Sequence, residues 1–227
     1  AGNSAAGYRS LYANTSGKLN TATGYLALFT NTTGNYNSAT GSAALYRNTT
    51  GSHNAANGYS ALYNNTTGVY NTAAGSLALY FNSTGGDNTA VGYQSLYNNT
   101  TGNNNTANGY QSLFTNQVGR DNTAYGFQSM YLNNGIRNTA SGYQSLFNNN
   151  DGGDNVATGY RALYSNVIGF QNTANGAHAL NANVDGFDNS ATGYQSLFSN
   201  INGVHNTATG TQAMFLNSGG SYNTANG

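Results

Sequence analysis

Residues 88–97 read Asn-Thr-Ala-Val-Gly-Tyr-Gln-Ser-Leu-Tyr, and residues 105–114 read Asn-Thr-Ala-Asn-Gly-Tyr-Gln-Ser-Leu-Phe. The offset is 17 residues, and it governs the whole chain. The opening Asn recurs at 3, 20, 37, 54, 71, 88, 105, 122, 138, 155, 172, 189, 206 and 223. Every step is 17 except the step from Asn122 to Asn138, which is 16. Numbering the columns from that Asn, the phrase is N-T-A-x-G-Y-Q-S-L-Y-x-N-T-T-G-x-x. Columns one, three, five, twelve and fifteen hold Asn, Ala, Gly, Asn and Gly in all thirteen complete copies. Column nine is Leu except at Met130 and Met214. The short copy loses its residue within Leu132-Asn133-Asn134-Gly135, where a turn can absorb a deletion.

One copy offers a single Leu, one inward Ala and two rings, too little to fold alone. Stacked copies bury continuous columns, which predicts a β-solenoid of about thirteen 17-residue coils. At about 4.8 Å per coil, thirteen intervals would span roughly 60 Å. Within a coil, N-T-A-x-G alternates and reads as a short strand with Ala inward. The Gly of column five fits a corner that needs positive φ or close backbone approach. Columns six to eleven are ambiguous. As a strand, Tyr93, Ser95 and Tyr97 share a face. As a helical turn, Tyr93, Leu96 and Tyr97 cluster at i, i+3 and i+4, which groups the apolar residues and is the preferred reading. Asn-Thr-Thr-Gly closes the coil as a turn. The structural ladder is represented by Asn88, Ala90, Gly92, Leu96, Asn99 and Gly102. The two Asn columns are expected to bond to their own kind and to turn backbone. The phrase never pauses across residues 1–227, so a single continuous solenoid, part of a longer array, is expected.

Composition narrows function. Only 5% of the 227 residues are charged, net charge is zero, and the six Lys and Arg are scattered, which argues against nucleic acid. No apolar run approaches the roughly 18 residues of a membrane span. With no Cys, disulfides and thiolate metal sites are excluded. His53, His178 and His205 lie coils apart in two columns, so no two can share a metal. Asp87, Asp121, Asp154 and Asp188 occupy column seventeen, and Asp151 and Asp185 column fourteen. The turns that hold them faintly resemble calcium-binding β-roll turns, but the carboxylates skip coils, and a structural role is the preferred reading. The Ser and Thr columns have no general base beside them. No enzyme and no cofactor are expected. Asn14, Asn31, Asn48, Asn65, Asn82 and Asn99 head glycosylation sequons, although Thr is also simply favoured in such turns.

These residues resemble the NTAxGYxALxxNTTG repeats of bacterial and phage tail-fibre-like proteins. They are more distantly similar to the head repeats of trimeric autotransporter adhesins. The resemblance implies a fibre outside the cell or on the cell or virion surface, commonly trimeric, serving as stalk or attachment device. Column four, often Ile or Val in such fibres, is here Thr23, Thr40, Asn57, Asn108, Thr158 and Asn175, with Val91 the strongly aliphatic member.

Two readings follow. The first is a structural filament segment that works as a homo-oligomer, a trimer or an end-to-end filament. An uncovered aromatic column would exceed the apolar patch tolerated on monomers. Column ten (Tyr80, Tyr97, Phe114, Tyr131, Phe147, Tyr164 and their equivalents) is the expected covered stripe or, alternatively, a platform for stacking surface glycans. The second reading is a surface-binding module: a glycan-binding adhesin, or an ice-binding solenoid acting through Thr-x-Thr strands such as Thr21-Ala22-Thr23.

Overall fold

The computed structural model describes residues 2–227. It is a parallel β-solenoid of about thirteen turns, and no described residue is helical. The coils group into two compact units, Ala1–Val118 and Gly119–Gly227. In the first, β1 (Ser4–Ala6), β2 (Thr21–Thr23), β3 (Ser38–Thr40), β4 (Ala55–Asn57), β5 (Thr72–Ala74), β6 (Thr89–Val91) and β7 (Thr106–Asn108) pair in chain order. The second repeats the plan with β8 (Thr123–Tyr125), β9 (Thr139–Ser141), β10 (Val156–Thr158), β11 (Thr173–Asn175), β12 (Ser190–Thr192), β13 (Thr207–Thr209) and β14 (Thr224–Asn226).

Each strand is three residues long because glycine turns the chain immediately afterwards. Gly92 has φ +120°, and a Cβ there would sit 2.6 Å from the carbonyl oxygen of Gly109 in the next coil. Both reasons for glycine therefore apply at one position. The middle Ala points inward: Ala90, Ala107, Ala124 and Ala140 have no exposed surface. Enlarging it should overpack the column. Ala107→Leu is expected to destabilise by about 1–3 kcal/mol in urea unfolding, and unchanged stability would contradict the inward placement.

Columns six to eleven are neither helix nor strand, which corrects the helical reading. They form a chain of turns in which columns seven and nine take a left-handed conformation, as at Gln94 (φ 54°) and Leu96 (φ 50°). The reason lies in hydrogen bonding. A helix would satisfy its backbone within the coil and leave nothing for the neighbours. Here Gln94 N–H donates to the preceding coil at Ser76 O (3.1 Å), and Leu96 N–H to the following coil at Ser112 O (3.0 Å). A left-handed non-glycine residue costs on the order of 1 kcal/mol. The cross-coil bonds and the complete burial of Leu96 offset it. A segment of six residues is also too short to repay helix nucleation. Ser95 joins Leu96 in the interior, so column eight is core as well.

The rest of the core is amide. Asn88 Nδ2 donates to Gly102 O (2.8 Å) and Asn71 Oδ1 (3.1 Å), while Asn88 Oδ1 accepts from Asn105 N–H (3.0 Å). From the other side, Asn99 Nδ2 donates to Asn82 Oδ1 (2.8 Å) and to the same Gly102 carbonyl (3.0 Å). From Asn20 to Asn206 both Asn columns are buried and bonded to their own kind and to turn backbone, as expected. Burying so many amides is tolerable only because each is satisfied.

Within the second unit, the 16-residue step leaves the register intact. Thr123, Ala124 and Tyr125 pair with Thr139, Ala140 and Ser141, and Asn138 N–H reaches Asn122 Oδ1 at 3.0 Å. The deletion is absorbed in the turn, where Asn133 donates through Nδ2 to the Gly135 carbonyl at 3.3 Å and accepts through Oδ1 from Asn149 Nδ2 at 2.7 Å.

Candidate functional site

The ionisable residues do not form a reactive constellation. No three His or Asp side chains converge among the described residues, and no enclosed cavity opens among them. His53 and His205 are exposed. His178 is half-buried. Desolvation, followed by the nearby Arg161 charge, pushes its pKa below the ordinary value, so it is neutral near pH 7. In column seventeen, Arg137 grips Asp154 with two bonds, Nε to Oδ1 at 2.7 Å and Nη2 to Oδ2 at 2.8 Å. Those bonds hold the Asp154 carboxyl below the usual range. This is an exposed alternating charge ladder, a structural arrangement for which little stabilisation is expected.

The sequon asparagines are occupied. Asn31, Asn48, Asn65, Asn82 and Asn99 are fully buried in the column-twelve ladder. Asn65 Nδ2, for example, donates to Asn48 Oδ1 (2.8 Å) and Gly68 O (3.0 Å). The following Thr is favoured for its own reason: Thr66 Oγ1 donates to Ser83 O of the next coil at 2.9 Å. The turn reading accounts for these residues, and N-linked sugar would require extracting the ladder amides.

On the strand face, columns two and four point outward. Paired hydroxyls nevertheless never persist beyond two consecutive coils: β2 with β3, and β12 with β13. Elsewhere Asn57, Ala74, Val91, Asn108, Tyr125 and Asn175 interrupt the second rank. A flat lattice of hydroxyls is therefore absent from this face.

The aromatic columns are the most continuous surface feature. In the first unit, Tyr12, Phe29, Tyr46, Tyr63, Tyr80, Tyr97 and Phe114 stack at centroid distances of 5.0–5.4 Å. In the second, Tyr131, Phe147 and Tyr164 stack at 5.1 Å. The column-ten rings from Phe29 onward are half-buried, with faces turned to one another and edges to solvent. Column six is more exposed, from 39% at Phe127 to 60% at Tyr59. The side chain of column seven lies between the two columns. Arg161 stands 5.4 Å from the Tyr160 centroid and 5.1 Å from that of Tyr164, and Arg9 stands 5.3 Å from both Tyr8 and Tyr12. Where column seven is Gln, it forms its own ladder, as in Gln111 Nε2 to Gln94 Oε1 at 2.8 Å.

Both columns break in the coil that opens at Asn172, where Ala177 and Asn181 replace the rings. Two other features bear on function. No described helix is long and apolar enough to cross a membrane. The chain matches no protein-family model, no curated protein and no solved structure.

Proposed function

We propose that the chain is a structural segment of a surface fibre outside the cell or on the virion, non-enzymatic, giving reach and attachment, and working as a homo-oligomer. The observation that carries this reading is the half-exposed column-ten stripe, stacked ring on ring within each unit. Covering a ring contributes roughly 1.5–3 kcal/mol, so a second copy laid along several rings outweighs the entropy lost on association. The interior supports the same reading. Every coil bonds mainly to the coils beside it, which suits a load-bearing repeat rather than a site that must move. The resemblance to tail-fibre-like repeats favours a parallel trimer, with end-to-end filaments as the other form of assembly.

The test is assembly state. Light scattering at micromolar concentration is expected to report a species larger than one chain, and electron microscopy elongated particles. A stable monomer appearing as compact globules would overturn the proposal.

A further inference from the structure

The shared gap in the aromatic columns has the features of a ligand slot. Column six is also interrupted at Ser42, Ser76 and Thr211, but column ten is interrupted only at Asn181. In an unbroken column each ring covers its neighbour's face, so an incoming sugar finds only edges. At Asn181 that changes. Tyr164 is covered on one face by Phe147 (5.1 Å, 14° between planes), and Phe198 on one face by Phe215 (5.0 Å, 10°). Between Tyr164 and Phe198 stands the short Asn181 side chain in place of a ring. Two coil steps separate those rings by about 10 Å, an interval bordered by the Asn181 amide and by the His178 imidazole bonded to it, which a flat ring would enter by turning the imidazole aside.

The polar groups beside this slot are cationic or donating. Arg161 gives Nε to Gln144 Oε1 (2.9 Å), and no hydrogen bond among the described residues engages its terminal nitrogens. Asn181 Nδ2 bonds Arg161 O (2.9 Å) and faces His178 Nδ1 at 3.3 Å. With the amide donating, the imidazole proton resides on Nε2, which is a further donor. The His178 ring stands edge-on to Tyr160 at 5.1 Å and lies 6.1 Å from Phe198. Columns six to ten contain no acidic residue anywhere in the chain, so no neighbouring carboxylate in them neutralises Arg161.

We infer that this slot binds a single pyranose ring bearing a carboxylate, a uronate, held between Tyr164 and Phe198 with its carboxylate on Arg161. The apolar sugar faces meet ring faces, and the planar carboxylate matches the guanidinium fork. The inference rests on the attachment part of the function proposed above and not on assembly.

The experiment is calorimetric titration of the whole chain with an oligogalacturonate and with a neutral oligogalactose of equal length. The acidic sugar is expected to bind at least about tenfold more tightly than the neutral one. Arg161→Gln, which places in column seven the residue already found at Gln144, should abolish that preference. Asn181→Tyr should complete the ring column, abolish binding and leave the unfolding midpoint no lower. His178→Gln serves as the second slot variant if Asn181→Tyr fails to fold, and is expected to weaken uronate binding. Absence of uronate binding, equal binding of the two sugars, or slot variants that bind like the parent would overturn the inference. A monomer that binds uronate would overturn only the assembly proposal, and a fibre that ignores it would overturn only the slot.

Discussion

Replacing Asn88 by Ala is expected to destabilise the first unit by about 3–5 kcal/mol, near the upper end of what single substitutions do. The side chain is fully buried, belongs to the column-one ladder and shares the Gly102 carbonyl with Asn99 of the column-twelve ladder. Its removal takes one donor from Gly102 O and one from Asn71 Oδ1, and strips the acceptor from both Asn105 N–H and Asn105 Nδ2. Each buried group left without a partner costs roughly 1–3 kcal/mol, and the vacated volume lies in a core too narrow to collapse around it. Asn98→Ala is the control, because that residue sits in column eleven and its side chain belongs to neither amide ladder. It is expected to stay within about 0.5 kcal/mol. Urea unfolding of the two variants decides the matter: equal stabilities would show that the amide spine contributes nothing.

Gly92→Ala is expected to cost about 2–5 kcal/mol. The backbone there has φ +120°, where an L side chain is strained, and the new Cβ would lie 2.6 Å from Gly109 O and 2.8 Å from Gly109 C. Those atoms are backbone held in the cross-coil ladder, where Gly109 N–H bonds Val91 O at 2.9 Å, so they cannot yield as a flexible side chain would. Gly153→Ala offers the contrast. Its Cβ would meet Ile136 O at 3.2 Å with no positive φ, and a loss within about 1 kcal/mol is expected. Thermal unfolding should rank the pair in that order, and a Gly92→Ala chain as stable as its parent would refute the close approach.

The gap at Ala177 and Asn181 was open to sequence reading, since both replacements lie in one copy of an otherwise regular phrase. What could not be read was that stacking uses the ring faces elsewhere, so that the exceptions rather than the regular rings offer a platform. That follows only from the nearly parallel planes seen along column ten. The role of column eight was legible too. It is Ala or Ser in every complete copy, a restriction to small residues that Ser95 and Ala162 explain by lying fully buried.

By itself, the sequence determined the repeat, the 17-residue step, the three-residue strand with its inward Ala, the glycine corner and the place where a deletion is harmless. Each is a local requirement restated in every copy, so side-chain size, backbone freedom and periodicity suffice to read it. Tertiary structure alone decided the conformation of columns six to eleven and the fate of the asparagines. Gln94 and Leu96 adopt left-handed backbone because their N–H groups must reach carbonyls in other coils, a demand that no window of one coil contains. Asn65 reads as a glycan acceptor in isolation and becomes a buried structural amide once Asn48 and Gly68 are placed against it. The physical reason is common to both: the bonds that settle these residues join positions a full coil apart.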